Sequence, residues 1–100
     1  MAIVNIPALN VTAAVSPSAS TEFTTSSRGF WLHSSGLLKG EKVTLYGLDS
    51  NSTFRAVTND SSTIGISSNP NSAFVDLPPG TYRLGKGATV TAPYISYEEE

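Results

Sequence analysis

The sequence predicts an all-β protein: a single small antiparallel β-sandwich or barrel, immunoglobulin-like or jelly-roll-like, with an extended N-terminal arm. Short stretches that alternate apolar and polar residues recur along the chain, with turn signals at intervals of about 8–12 residues. No segment shows the period of an amphipathic helix. The clearest strand-corner-strand pattern lies between residues 75 and 84, and the 100 residues suffice for one domain with one core.

A tyrosine corner is our interpretation of residues 75–84. Apolar and polar residues alternate up to Pro78 and Pro79, which remove two backbone donors in succession and must end the strand. Gly80 then offers a residue that tolerates positive φ. Tyr82 begins a second alternating stretch, and its hydroxyl can hydrogen-bond the backbone of the corner, as it does in β-sandwiches. We therefore expect Pro79, Gly80 and Tyr82 to form a structural corner.

Other strands are predicted where β-branched and aromatic residues alternate with polar ones. The best hairpin joins residues 42–46 to residues 53–58 across a polar turn, and residues 85–87 are expected to form a flexible hairpin tip. The remaining strand candidates are residues 22–24, 28–33, 63–67, 73–77, 88–92 and 94–97.

The strand at residues 28–33 has two possible orientations. Phe30 and Leu32 share one face, whereas Trp31 and His33 share the other. Trp31 in the core with Phe30 turned outward is the commoner arrangement in proteins. The alternative is an exposed Trp31 that forms an aromatic platform on which a sugar ring could stack. The tyrosines that could join this platform are Tyr46, Tyr94 and Tyr97.

The N-terminal residues are apolar and uncharged. Residues 1–15 are predicted to form an arm or an edge strand, because Pro7 is tolerated only where no ladder donor is needed. Residues 16–27 are typical of a Ser/Thr-rich linker, residues 28–97 of the sandwich itself, and residues 98–100 of a solvated acidic tail. We expect the arm to add to the edge of another sheet, in a neighbouring copy or a shell; the alternative is that it closes the protein's own sandwich. The residues expected to make this partner contact are Ile3, Val4, Ile6, Leu9 and Val11.

The composition excludes several classes of function. Cysteine is absent, which excludes disulfides, thiolate metal sites and thiol redox chemistry. The net charge is −2 with only 14% charged residues, so the chain lacks the basic stripe that nucleic acid requires. No apolar run approaches the ~18 residues of a membrane span, and no basic segment resembles the start of a signal peptide. We therefore expect synthesis in the cytoplasm without nucleic-acid or membrane partners.

Candidate catalytic and ligand-binding groups are few. His33 is the only histidine and would have to serve any His-rich metal site or Ser-His-Asp triad. No Gly-x-Ser-x-Gly elbow marks a nucleophile. Residues 49–52 are rich in side-chain oxygen but lack the spaced acids of a calcium loop. We expect no catalytic residue, no cofactor and no metal.

The order of elements between residues 36 and 86 resembles that of small accessory structural proteins of tailed bacteriophages. The resemblance rests on a Gly-Glu-x-Val element at residues 40–43 and on a Pro-Gly-x-Tyr-Arg corner at residues 79–83. It implies a non-enzymatic capsid decoration or cement protein that is located in the virion and binds the assembled shell. The implied partner is the major capsid protein or another virion protein, and a homo-oligomer is expected. The alternative is a carbohydrate-binding β-sandwich module, which a virion could also carry for adhesion to its host.

Overall fold

The computed structural model describes residues 3–48, 53–59, 62–68 and 71–99. These residues form eleven β-strands and two short 3-10 helices, Pro7–Leu9 and Ala19–Thr21. Within these ranges, no helix is long and apolar enough to cross a membrane. The strands are β1 (Ile3–Asn5), β2 (Phe23–Thr25), β3 (Phe30–Ser35), β4 (Lys42–Leu48), β5 (Phe54–Ala56), β6 (Thr58–Asn59), β7 (Ser62–Thr63), β8 (Gly65–Ser67), β9 (Ser72–Val75), β10 (Gly80–Lys86) and β11 (Tyr94–Glu99).

Two antiparallel sheets build the domain. The first sheet has the strand order β1-β11-β3-β9, and the second has the order β2-β10-β4-β5, with β8 also paired to β4. The short strands β6 and β7 form a separate two-stranded ladder. The prediction of an all-β sandwich is confirmed.

The core lies between the two sheets because alternate residues of each strand turn inward. Leu32 contributes from the first sheet and Val43, Leu45 and Leu84 from the second, and all four are fully buried. Among the described residues, the buried hydrophobic cluster consists of Ile6, Leu9, Phe23, Phe30, Leu32, Leu37, Val43, Leu45, Ile66, Val75, Tyr82, Leu84 and Ile95.

Phe30, not Trp31, is the core residue of β3, so the interpretation of Trp31 as core is wrong. Phe30 is fully buried, whereas Trp31 lies on the outer face and is half-buried. The physical reason is an aromatic cluster on the inner face: the Phe30 ring lies 5.4 Å from the rings of both Phe23 and Tyr82. The orientation of β3 therefore depends on partners that come from β2 and β10.

The N-terminal residues pack on the protein's own first sheet, so the expected extended arm is wrong and β1 is an edge strand. A 3-10 turn at Pro7–Leu9 directs the chain inward. Ile6 and Leu9, expected to contact a partner, are buried in the core instead. Further along, Val15 forms a β-bridge with Lys86 of β10. Burial of these apolar side chains in the protein's own core outweighs any benefit of an extended arm.

Residues 16–27 are part of the sandwich, which corrects their assignment as a linker. They contain the 3-10 helix Ala19–Thr21 and β2, which pairs with β10. Thr21 is fully buried, and its hydroxyl accepts a hydrogen bond from the amide of Leu84 at 3.4 Å. Phe23 fills the core and stacks on Tyr97 with 4.4 Å between ring centroids.

Two residues of the expected acidic tail, Glu98 and Glu99, are part of the sheet, whereas Glu100 lies outside the described residues. Glu98 and Glu99 lie in β11, which ends at Glu99. The Glu99 carboxylate accepts hydrogen bonds from the backbone amides of Ser26 at 2.6 Å and Ser27 at 3.3 Å. The carboxylate of Glu99 in β11 is thereby the hydrogen-bond acceptor for the two amides that follow β2.

Residues 85–87 do not form the expected hairpin tip. Strand β10 continues through Gly85 and Lys86, which pair with β4. A Cβ atom at Gly85 would lie 3.0 Å from Pro17 and 3.2 Å from Tyr46, so a side chain here would force these neighbours to shift by a few tenths of an ångström. Residues 88–92, expected to be a strand, form a loop.

The predicted corner forms, with one correction. The Tyr82 hydroxyl donates to the carbonyl oxygen of Pro78. Gly80, however, is the first residue of β10 and does not have positive φ; the described glycines with positive φ are Gly29, Gly36 and Gly40. The two prolines have already completed the turn, so the chain is extended at Gly80.

Candidate interaction surface

The outer face of the first sheet carries a continuous row of large side chains. Cross-strand partners share a face, and the register places Ile3 opposite Glu98, Glu98 opposite Trp31, and Trp31 opposite Phe74. The next rows add His33 and the exposed ring of Tyr94. We call this surface the aromatic face and define it by Ile3, Trp31, His33, Phe74, Tyr94 and Glu98.

Much of the aromatic face is exposed hydrocarbon. Ile3 is 58% exposed, Phe74 44% and Tyr94 68%. The Trp31 ring meets Phe74 edge-on at 5.3 Å and lies parallel to His33, with 6.3 Å between centroids. Large apolar patches on a protein surface usually mark interaction sites.

Gly29 determines where the Phe74 ring lies. Its φ is +89°, and a Cβ atom there would come 2.5 Å from Cζ of Phe74. The Gly29 amide donates to the carbonyl oxygen of Leu77 at 3.0 Å, which ties the start of β3 to the end of β9. The tip of the Phe74 ring therefore occupies the space that a side chain at Gly29 would need, and the ring lies beside Trp31.

His33 is held at both ring nitrogens. Nδ1 lies 2.9 Å from the hydroxyl of Ser72, and Nε2 lies 3.2 Å from a carboxylate oxygen of Glu98. Serine, histidine and an acid thus lie in a row, but a hydrolase would also need donors aimed at an oxyanion and a site for an acyl substrate. On this sheet surface the arrangement orients the imidazole and places a polar group at the centre of the aromatic face.

The outer face of the second sheet is more polar. Arg83 pairs with Glu22 at 2.8 Å and also covers the ring of Phe54, with 4.1 Å from the guanidinium carbon to the ring centroid. Tyr46 of β4 lies directly opposite Arg83 in the strand register. The charged pair satisfies itself within the chain, which makes this face a weaker candidate for a binding surface.

Loops at one end of the sandwich are fastened by two charged side chains. Glu41 accepts hydrogen bonds from the amides of Leu38 and Val90, each at 2.8 Å, and these bonds hold the pKa of its carboxyl below the ordinary value. Lys86 is buried and donates to the carbonyl oxygen of Ala13 at 2.8 Å; its burial lowers its pKa. Both interactions serve to anchor loops.

The structure does not bring the predicted partner-contact residues together on one surface, nor the predicted residues of the sugar platform. Of the expected partner contacts, Ile3, Val4 and Val11 are exposed, whereas the two others are in the core. Of the proposed sugar platform, Trp31 and Tyr94 share the aromatic face, and Tyr46 and Tyr97 lie elsewhere.

No metal site is formed by the part of the chain that the structure describes, since it contains no cluster of three or more histidines, cysteines or acids. The oxygen-rich turn at residues 49–52 lies outside the described residues. The sequence pattern does not identify Phe74 as a surface residue, because its neighbours Ala73 and Val75 are also apolar. Only the register with β3 shows which face of the sheet Phe74 occupies.

Comparisons with known proteins identify no relative of this chain. No family model matches the chain, and neither a curated protein nor a solved structure matches it. The function must therefore be argued from the surface itself.

Proposed function

We propose that the protein is a non-enzymatic virion structural protein, a capsid decoration or cement protein that binds the assembled shell of a tailed bacteriophage. The observation that carries this proposal is the aromatic face, on which Ile3, Phe74 and Tyr94 are exposed around the half-buried ring of Trp31. The resemblance of residues 36–86 to phage accessory proteins suggests the shell as partner. That partner is the major capsid protein or another virion protein, and the protein is made in the host cytoplasm.

The aromatic face suits a protein partner on energetic grounds. Burial of apolar surface yields about 25 cal/mol per Å², and aromatic side chains dominate the centres of interfaces. Trp31 and Phe74 already pack on each other, and Phe74 also lies against Gly29, so little side-chain freedom is lost when a partner covers them. The surface is thus preorganised for contact with a flat partner.

Cement action needs no catalytic residue. A protein that binds the assembled shell but not its separated subunits stabilises the shell by mass action, and the gain grows with the logarithm of free protein concentration over Kd. Many copies docked across the boundaries of capsid subunits would add such a contribution at each site.

The test is co-sedimentation of the purified protein with assembled shells of the encoding phage. Trp31→Ala and Phe74→Ala remove the centre of the aromatic face, and we expect each to reduce shell binding by roughly tenfold or more, as for interface anchors. Tyr46→Ala is the matched control, because it removes an aromatic ring from the outer face of the other sheet. Melting curves of each variant verify folding.

Two outcomes would overturn the proposal. One is wild-type protein that remains in the supernatant at every shell concentration. The other is wild-type-like binding by the folded Trp31→Ala and Phe74→Ala variants, which would move the contact to a different surface.

A carbohydrate-binding module is the second candidate, and a specific observation favours it. Tyr94 borders a hollow of about 270 Å³ whose lining includes the polar residues Asn5 and Asn10. Exposed rings beside polar groups are the usual components of small-ligand sites. Trp31 is the only tryptophan, so its fluorescence reports this face alone. A saturable change in emission with a member of a glycan panel would favour this candidate over the cement protein.

A further inference from the structure

Strand β1 leaves one edge of the first sheet unpaired. The amide of Ile6 donates to the carbonyl oxygen of Ile95 at 2.9 Å. Bonded pairs alternate along an antiparallel ladder, so Val4 points its N–H and C=O toward β11, whereas Ile3 and Asn5 point theirs outward. Within the described ranges, no residue hydrogen-bonds to these outward groups.

β1 is only three residues long, but it carries no charged side chain, proline or bulge that would protect its edge. The chain has no charged residue before Glu22, and Ile3 and Val4 are both exposed. The opposite edge of the sheet, β9, is instead followed by Asp76, which pairs with Arg28 at 2.8 Å. Exposed edges without charge, proline or a bulge are templates for pairing with another strand.

We propose that β1 pairs with β1 of a second copy of this chain, antiparallel and about a two-fold axis at Val4. The product is a dimer with a continuous eight-stranded sheet, four strands from each copy. This inference does not rest on the proposed function, because it is argued from the backbone groups of β1 and needs no shell, although Ile3 belongs to both surfaces.

The outward backbone groups determine the register. Ile3 of one copy lies opposite Asn5 of the other, and each of the two equivalent pairs exchanges two backbone hydrogen bonds. The two Val4 residues then face each other as a non-bonded pair, where side chains approach most closely. A shift of one residue would oppose groups already bonded to β11, so it is disfavoured.

A second copy of the chain is the partner that best matches the edge of β1. Two-fold pairing is isologous, so every donor on β1 meets an acceptor on the identical strand. In this register Val4 meets Val4 of the second copy, and Ile3 meets the uncharged Asn5. The axis is perpendicular to the sheet, so both aromatic faces lie on one side, where they could bind one surface with avidity.

The experiment is sedimentation equilibrium on Val4→Lys, Val4→Glu and the neutral control Val4→Thr, each with a native N terminus. We expect wild type and Val4→Thr to dimerise with similar Kd. Each charged variant alone places like charges opposite each other on the axis, and its Kd should rise roughly tenfold or more. An equimolar mixture of Val4→Lys and Val4→Glu should regain dimer, because opposite charges then face each other.

Recovery in the mixture is specific to two Val4 side chains in contact, since a folding defect in either variant would persist after mixing. Wild-type protein that stays monomeric up to millimolar concentration would overturn the proposal. So would charged variants that dimerise as well as wild type, or folded variants whose mixture stays monomeric.

Discussion

The hydroxyl of Tyr82 donates a hydrogen bond of 2.6 Å to the carbonyl oxygen of Pro78, four residues earlier in the chain. The ring of Tyr82 is buried against Phe23 and Phe30. The bond therefore closes the corner while the ring joins β10 to the core. Burial also raises the pKa of this hydroxyl, because the ionised form would lose hydration.

Loss of this hydroxyl should cost measurable stability. Tyr82→Phe keeps the ring and removes the bond, so we expect the free energy of unfolding to fall by about 0.5–1.5 kcal/mol in urea denaturation. Gly80→Ala is the control and should change stability by less than about 0.5 kcal/mol. Gly80 has ordinary φ, and the nearest atom to an added Cβ is 4.0 Å away on Tyr82. A larger cost for Gly80→Ala than for Tyr82→Phe would contradict this account of the corner.

Gly29→Ala should destabilise through two effects, positive φ and a clash with Phe74. Gly40→Ala is the matched control, because Gly40 has φ of +88° but nothing within 4 Å of an added Cβ. We expect about 1–2 kcal/mol for Gly40→Ala from φ alone and a larger loss for Gly29→Ala. Adding Phe74→Leu should recover part of the difference in a double-mutant cycle. Equal losses for the two alanine variants would show that the ring yields without cost.

Leu9 should behave as a core residue and Val11 as a surface residue, although both belong to the same apolar N-terminal segment. Leu9 is fully buried and Val11 is 40% exposed. Leu9→Ala should cost about 2–5 kcal/mol, and Val11→Ala less than about 0.5 kcal/mol, by chemical denaturation. A stable Leu9→Ala protein would restore the model of a detached arm.

Glu99 should make stability sensitive to acid. Hydrogen bonds from the amide of Ser26, then Ser27, lower the pKa of its carboxyl below 4.5. The folded protein thus binds this proton less tightly than the unfolded chain, so the contribution is full above pH 4.5 and is lost as pH falls through the lowered pKa. Glu99→Gln should be less stable at neutral pH and should lose less stability on acidification. Parallel pH profiles for the two proteins would argue against the hydrogen bonds from Ser26 and Ser27 to Glu99.

Lys86→Met should loosen the attachment of residues 11–15 to the end of β10. The Lys86 ammonium donates to Ala13 and Gly87 carbonyls and to the Thr89 hydroxyl. Replacing it leaves these acceptors without their donor, at a cost of about 1–3 kcal/mol. Hydrogen exchange should quicken at residues 11–15, and Lys39→Met, at an exposed loop position, should leave both quantities unchanged.

The same lysine gives an alkaline signature. Burial lowers the pKa of Lys86 below 10.5, so the unfolded chain binds this proton more tightly than the folded protein does. As pH rises from the lowered pKa to 10.5, the free energy of unfolding therefore increases. Lys86→Met should lack that gain. A wild-type curve that matches the variant across this window would show that the ammonium keeps its hydration.

The sequence by itself determined the all-β class and the corner, because both depend on neighbours in the chain. Two prolines end a strand whatever surrounds them, and a tyrosine a few residues later reaches the same carbonyl through local geometry. Alternation likewise separated Phe30 from Trp31 without information from any other strand.

Tertiary structure decided which of those two faces is buried, since the inner partners of Phe30 come from β2 and β10. It also decided that Leu9 enters the core, that Lys86 ends a buried strand, and that Phe74 rests on Gly29. Each outcome depends on side chains distant in sequence that compete for the same interior volume. The local sequence pattern does not show which side chains will fill that volume. The aromatic face and the unpaired edge of β1 are therefore defined only when the sheets are assembled.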